Sequence, residues 1–207
     1  MTRYDVVEKF LPYLSVGKKI SEDYFLVDGV VFYGKYGYVI SQGGVGRILV
    51  DDRILPNSPI MWSIPAEEVV DASEGSIIEI KKTAFLHQRA PIIFVRRKDL
   101  ASLSRDLTPK RESKSKVILD IGEHIVGMTL RKNEIIAEKK IHLRKTSEFS
   151  GKIEFSLFDF KKVVLEIFSD YDIIGIQLSK NPVMFGRRAD KSKPAIDFVF
   201  KEVYCHD

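Results

Sequence analysis

Four histidines, His87, His124, His142 and His206, one cysteine, Cys205, and two acidic pairs, Asp51-Asp52 and Asp170/Asp172, are the side chains here whose types could do chemistry. Imidazole and thiolate hold zinc when short spacing lets one turn present two ligands together, and no pair here has that spacing. The aspartates could hold a hard cation through carboxylate oxygens, but both pairs sit at strand ends, where carboxylates form turns. Glu123 beside His124 and Cys205 beside His206 have the composition of an activated nucleophile. Adjacent residues on a strand, however, point to opposite faces. The stretch QGGVG at Gln42 to Gly46 lacks the Lys-Ser/Thr of a phosphate loop and lies between strand patterns, which makes it a hairpin turn. The expectation is a protein without catalytic residues, metal or cofactor.

Single lysines on the polar side of a helix are more often solvated surface than ligands, and only their joint placement would raise a phosphate role. Lys161 and Lys162 fall on the polar side of one helical pattern and Lys9 on that of another, with Lys18 and Lys19 following it. Lysines so placed approach phosphates without reading bases. The 33 basic residues against 29 acidic give a formal charge of +4 and a pI near 9.0, a mild bias compatible with a polyanionic partner. Arg105 to Lys116, RDLTPKRESKSK, is rich in basic and small polar residues and nearly free of apolar ones after Leu107, as an interdomain linker would be. Tyr33, Tyr36 and Tyr38 around Lys35 come closest to the stacking platform of a single-strand binder, although turn and core roles explain them equally.

The elements that must position these residues follow from periodicity. Lys152 to Leu157 alternates Ile153, Phe155 and Leu157 with polar residues, as a half-buried strand does. From Phe158 the period lengthens, and Phe160, Val163, Val164 and Ile167 fall on one helical face. Alternation returns through Ile174, Ile176 and Leu178, and Ala195 to Val203 reads as a last strand. A second instance spans Pro59 to Val95: strand PIMWSI, helix PAEEVVDAS with Pro65 in its first turn, strands SIIEIKK and PIIFVRR. Arg3 to Val16 forms a third helical stripe, which Pro12 should kink or shorten. A meander follows over Tyr24 to Asp52, turning at Asp28-Gly29, Tyr36-Gly37 and Gly43-Gly44. Val117 to Leu143 reads as strand throughout, with turns at Gly122, Gly127 and Asn133 and no helix of its own. Four units of roughly 50 residues, within the length of one or two domains, predict an α+β fold with helices on one face of antiparallel sheets. A hydrophobic content of 44% supports a real core, and a single cysteine excludes an intrachain disulfide framework, fitting a reducing, cytoplasmic compartment. No apolar run reaches the roughly 20 residues of a membrane helix, and Met1 to Lys9 lacks the apolar region of a signal peptide.

The C-terminal stretch FSLFDFKKVVLEIFSDYDIIGIQLSKNPVMFGRRADKSKPAIDFVF resembles the last part of a DNA sliding clamp of the proliferating-cell-nuclear-antigen type. YFLVDGVVFYGKYGYVISQGGVGRILVDD with WSIPAEEVVDAS resembles the first domain of a bacterial or phage clamp. That resemblance implies two clamp-like domains, 1–97 and 117–207, joined by a connector at 98–116. It further implies a ring, a head-to-tail homotrimer, whose helices line a hole around double-stranded DNA and whose role is to tether a polymerase and other replication clients. A clamp loader belongs to the same picture. On this reading Lys9, Lys18, Lys19, Lys161 and Lys162 face DNA. Clients dock under the connector against Leu100, Leu103, Leu107, Val203 and Tyr204. Exposed strand edges around Ile77, Ile78 and Ile80 and around Ile141 and Leu143 join the subunits. Two features depart from the pattern: Glu67, Glu68 and Asp71 on the outer face of the second helix, and the missing third helix. They favour an alternative, a clamp-like scaffold for viral transcription or assembly that does not encircle DNA.

Overall fold

A computed structural model of the chain describes residues 3–14, 29–40, 43–50, 58–63, 68–72, 74–85, 90–107, 115–131, 134–142, 150–186 and 195–200. The first helix, α1 (Arg3–Leu14), continues past Pro12 and lays Val6 and Phe10 on a three-strand meander, β1 (Gly29–Tyr33), β2 (Tyr36–Ile40) and β3 (Gly44–Leu49). The turn between β1 and β2 falls at Gly34-Lys35, two residues earlier than the expected Tyr36-Gly37. Gly34 adopts φ 61°, a left-handed conformation that glycine reaches without steric cost. Then β4 (Ile60–Ser63) returns to pair with β1, and β5 (Glu68–Asp71) pairs with β4.

The expected helix over Pro65 to Ser73 is therefore a strand from Glu68 to Asp71, and the expected strand SIIEIKK lies within a helix, α2 (Glu74–Lys82). Its β-branched residues favour a strand in isolation. In the fold, Ile77 and Ile80 are three apart and dock together on the sheet, while Ile78 stands 43% exposed. Glu74 in the first turn and Lys81 and Lys82 in the last complement the helix dipole.

The stretch expected to be a connector also folds. After β6 (Ile92–Arg96), Arg97–Asp106 forms α3. Leu100, Leu103 and Leu107 recur at helical spacing and are buried in the main core. Then β7 (Lys116–Ile121), β8 (His124–Arg131) and β9 (Glu134–His142) form a second meander, and β10 (Gly151–Ser156) returns to pair with β7. Gly127 makes no turn; it lies within β8, where a side chain would strike Leu103 of α3. Gly127→Ala is expected to cost about 1–3 kcal/mol by overpacking, measured as a lower urea midpoint at unchanged slope.

The third meander follows α4 (Leu157–Lys162), whose Ser156 hydroxyl accepts from the Asp159 amide at its N-terminus. The helix widens into a π turn, Val163–Ile167, closed by the Phe168 amide donating to the Val163 carbonyl. Beside it the Arg97 guanidinium donates to the Val164 and Leu165 carbonyls at 3.4 and 3.2 Å. Strands β11 (Ile173–Gln177), β12 (Val183–Gly186) and β13 (Ile196–Phe200) complete the chain's described elements.

Two antiparallel sheets result, ordered β5-β4-β1-β2-β3-β13-β12-β11-β6 and β10-β7-β8-β9. Strands are exchanged between units: β6 precedes α3 in sequence yet pairs with β11. The sheet of nine is continuous across β3 and β13, so its pairing joins the N-terminal segment to the C-terminal one. Helices α1, α3 and α4 share the main core on one face of this sheet. On the opposite face Val31, Tyr38, Ile40, Val45, Val183 and Val199 form a second cluster, covered by Ile80 of α2 and by Phe85. Helix α2 and Phe85, which come between the two end strands β5 and β6 in sequence, thus lie over the face away from α1, α3 and α4. Helices were expected on one face only; α2 occupies the other.

Candidate nucleic-acid interface

The layer of helices is where phosphate-binding side chains would stand. The π continuation of α4 packs against α1 on one side and α3 on the other, because Phe10, Leu100, Phe160, Val164 and Ile167 all turn inward. What faces outward is polar. Lys9 of α1 reaches across to the loop after the π turn, donating to Asp170 at 2.7 Å and to the Ser169 hydroxyl at 2.8 Å. Lys162 pairs with Glu166 one turn later, at 2.8 Å. Lys161 is half-buried on the same helix. Lys18 and Lys19 lie outside the described residues.

Two further cations stand in this layer. Lys98 and Arg105 are exposed on α3, seven residues apart and hence on one face of the helix. Their signal was present in the sequence, in the spacing of Leu100, Leu103 and Leu107, which makes 97–107 a helix with a definite outer side. Around them Arg96 pairs with Asp99 at 2.8 Å, and Lys139 of β9 pairs with Asp106 and donates to the Ser102 hydroxyl at 3.0 Å. The described acidic residues of the layer, Asp5, Glu8, Asp99, Asp106, Asp159 and Glu166, number six against seven described basic ones, Arg3, Lys9, Arg97, Lys98, Arg105, Lys161 and Lys162.

The other expected sites are distributed differently. Leu100, Leu103 and Leu107 are fully buried, so no client can reach them in the folded chain. Val203, Tyr204 and Leu143 lie outside the described residues. Ile77, Ile78 and Ile80 are on a helix rather than a strand edge, whereas Ile141 is buried on β9, which does stand at the end of its sheet. His124 and His142 are register partners across β8 and β9. His87, His206, Cys205, Asp51 and Asp52 are outside the described residues, and among those described no group of three or more His, Cys, Asp or Glu could hold a metal ion. No described helix is long and apolar enough to cross a membrane.

The order of elements decides the fold family. A strand, a helix and a three-strand meander occur twice, with strands exchanged so that each meander is completed by the other's leading strand, and helix plus meander occurs once more at the start. The C. crescentus beta sliding clamp superposes with a TM-score of 0.70 over 99% of this chain, at 10% identity. The H. pylori beta clamp does so with 0.71 over 99% at 7% identity, and the DNA polymerase III subunit beta of Pseudomonas aeruginosa with 0.68 over 96% at 11% identity. This chain has the sliding-clamp fold. It spans 65% of the Caulobacter protein's length and 64% of the other two. No family model and no curated protein matches the sequence. Among the described residues, β6 to β13 comprise α3, α4 and two groups of four strands, β10-β7-β8-β9 and β13-β12-β11-β6, while α1 to β4 comprise one helix and one such group, β4-β1-β2-β3.

Proposed function

We propose that this protein is a sliding clamp, a non-enzymatic processivity factor that holds replication proteins on duplex DNA. The observation that supports it is the one-sided layer of α1, α4 and α3 over the sheets, in a fold shared along nearly the whole chain with DNA polymerase clamps. A clamp works by topology: it raises the effective concentration of a tethered polymerase at its template, so dissociation is followed by rapid rebinding. Several copies must join to surround DNA. Clients would meet the face covered by α2 and Phe85 rather than the buried leucines of α3, on the side of the sheet that ends in β6, whose Phe94 is exposed together with Ile173 of β11.

Within the helix layer, Lys98 and Arg105 of α3 are the cations we assign to phosphate. Lys9 and Lys162 are held by Asp170 and Glu166 and contribute less. The test is retention on linear duplex. A clamp slides off free ends and stays when both ends are blocked, and Lys98→Ala with Arg105→Ala should shorten retention and reduce the salt slope by about 2, roughly 0.9 for each phosphate no longer neutralised. Binding indifferent to the ends would overturn the clamp reading.

One observation favours a second reading, a clamp-shaped scaffold that does not encircle DNA: with six acids against seven bases among its described residues, the helix layer gives little net attraction for a polyanion. That reading predicts no retention on end-blocked duplex even at low salt.

A further inference from the structure

The hairpin joining β1 to β2 divides the three tyrosines around Lys35 into two kinds. Tyr38 is buried in the cluster under α2 and is a core residue, whereas Tyr33 and Tyr36 are half-exposed and flank Gly34 and Lys35 at the exposed tip. Tyr33 and Tyr36 are register partners, so they share one face of the sheet, the face away from α1, α3 and α4. Their surroundings are basic. Helix α2 ends there, with the Lys81 ammonium 6.0 Å from the centre of the Tyr33 ring and Lys82 next in the chain, both exposed. From β3 the Arg47 guanidinium braces the Tyr36 ring, 4.6 Å from its centre.

The lysines at this hairpin differ from those elsewhere in the fold. Lys9, Lys116, Lys139, Lys152 and Lys162 are each paired with a carboxylate. Among the described residues no such pair involves Lys35, Lys81 or Lys82. The carboxylates of α2 itself are Glu74, at its far end, and Glu79, half-buried one turn before Thr83. We infer that the β1–β2 hairpin and the end of α2 form a binding site for single-stranded nucleic acid, on the opposite face of the sheet from the helix layer. A paired base keeps its ring faces inside the duplex stack, whereas an unpaired one can lay a face on a half-exposed tyrosine. With a base on Tyr33, the strand's phosphates come within reach of Lys81 and Lys82 on one side and Lys35 on the other. An acidic peptide would use the lysines but not the rings, so the rings decide for nucleic acid. The contact reads no sequence, because every base has a ring face to offer.

The site rests on rings and charges and stands apart from the clamp reading. The experiment is fluorescence anisotropy of a short labelled oligothymidylate titrated with the whole chain. Tyr33→Ala should weaken binding about fivefold to a hundredfold, and Tyr33→Phe should retain it, since stacking uses the ring and not the hydroxyl. Replacing Lys35, Lys81 and Lys82 together by Ala should reduce the salt slope by about 2, roughly 0.7 for each phosphate no longer neutralised. An abasic strand, with the phosphates but no bases, should bind the wild type more weakly by a factor similar to that of Tyr33→Ala. The abasic strand and the lysine variant keep the test decisive even where Tyr33→Ala lowers the unfolding midpoint. No binding of oligothymidylate, equal affinity for the abasic strand or for poly-glutamate, or a folded Tyr33→Ala that binds as the wild type does, each overturns the site. So does binding that survives the triple lysine variant and is lost in Lys98→Ala with Arg105→Ala, which would put the strand on the helix layer. End-blocked duplex retention, measured on the wild type alongside, separates the two ideas. Oligothymidylate binding without retention keeps this site and sinks the clamp reading, and retention without oligothymidylate binding does the reverse.

Discussion

Leu103→Ala is expected to lower the free energy of unfolding by roughly 2–5 kcal/mol. Leu103 is fully buried on the inner side of α3, seated over Gly127 of β8, where the missing side chain lets the helix approach the sheet closely. Truncation leaves a cavity between two elements fixed from both sides: α3 is held by Arg97 on the π-turn carbonyls, and β8 lies between β7 and β9. Such a site relaxes little, which places the cost toward the upper part of that range. Urea denaturation at unchanged slope reads it. The same variant distinguishes a core residue from a client-docking one. A docking leucine would leave the unfolding midpoint in place and weaken client binding instead, and that outcome would sink the core assignment.

Why the leucines of α3 were legible as residues but not as a helix is a matter of local charge. In Arg97 to Leu107 the apolar positions keep a helical period, but Arg97, Lys98 and Asp99 precede Leu100, and Arg105 and Asp106 follow Ser104. A stretch so polar reads as a connector in sequence. Propensity misled in the opposite direction at α2. Three isoleucines within four positions, Ile77, Ile78 and Ile80, read as strand, and only docking on the outer face of the sheet, supplied by residues far off in sequence, makes them helical. Where period and propensity agree, as at β10, α4 and β11, elements were readable to within a residue or two. Strand exchange and the β3–β13 seam were not readable, because antiparallel neighbours distant in sequence leave no periodic trace. The lysines expected at DNA illustrate the same limit. Lys9 lies on a polar helix face, as its position implies, but its partner Asp170 comes from the far end of the chain, and only the fold brings the two within 2.7 Å.

The seam itself yields the last large effect. Arg47 of β3 and Asp197 of β13 are register partners across it, joined at 2.7 Å with the carboxylate almost fully buried. The guanidinium is stacked between Tyr36 and Phe85, its carbon 4.6 and 4.1 Å from the two ring centroids. Asp197→Ala leaves that cation enclosed by rings without its counter-ion, and breaking a buried pair from one side costs about 3–5 kcal/mol. Because Arg47 keeps some exposure to water, the lower end applies, about 3 kcal/mol. Replacing both partners, Arg47→Met with Asp197→Leu, removes the stranded charge and should recover most of the loss. Thermal unfolding of the three forms tests this, and a double variant as unstable as Asp197→Ala would show that packing rather than charge governs the seam. Tyr38 provides a second readout. Burial pushes its phenol above the ordinary value of 10.0, and Arg47 pulls it back. The folded chain keeps a proton that the unfolded chain releases above pH 10, so stability falls as pH rises past that point. Without Arg47 the pull is gone, and the fall should extend to higher pH in the double variant than in the wild type.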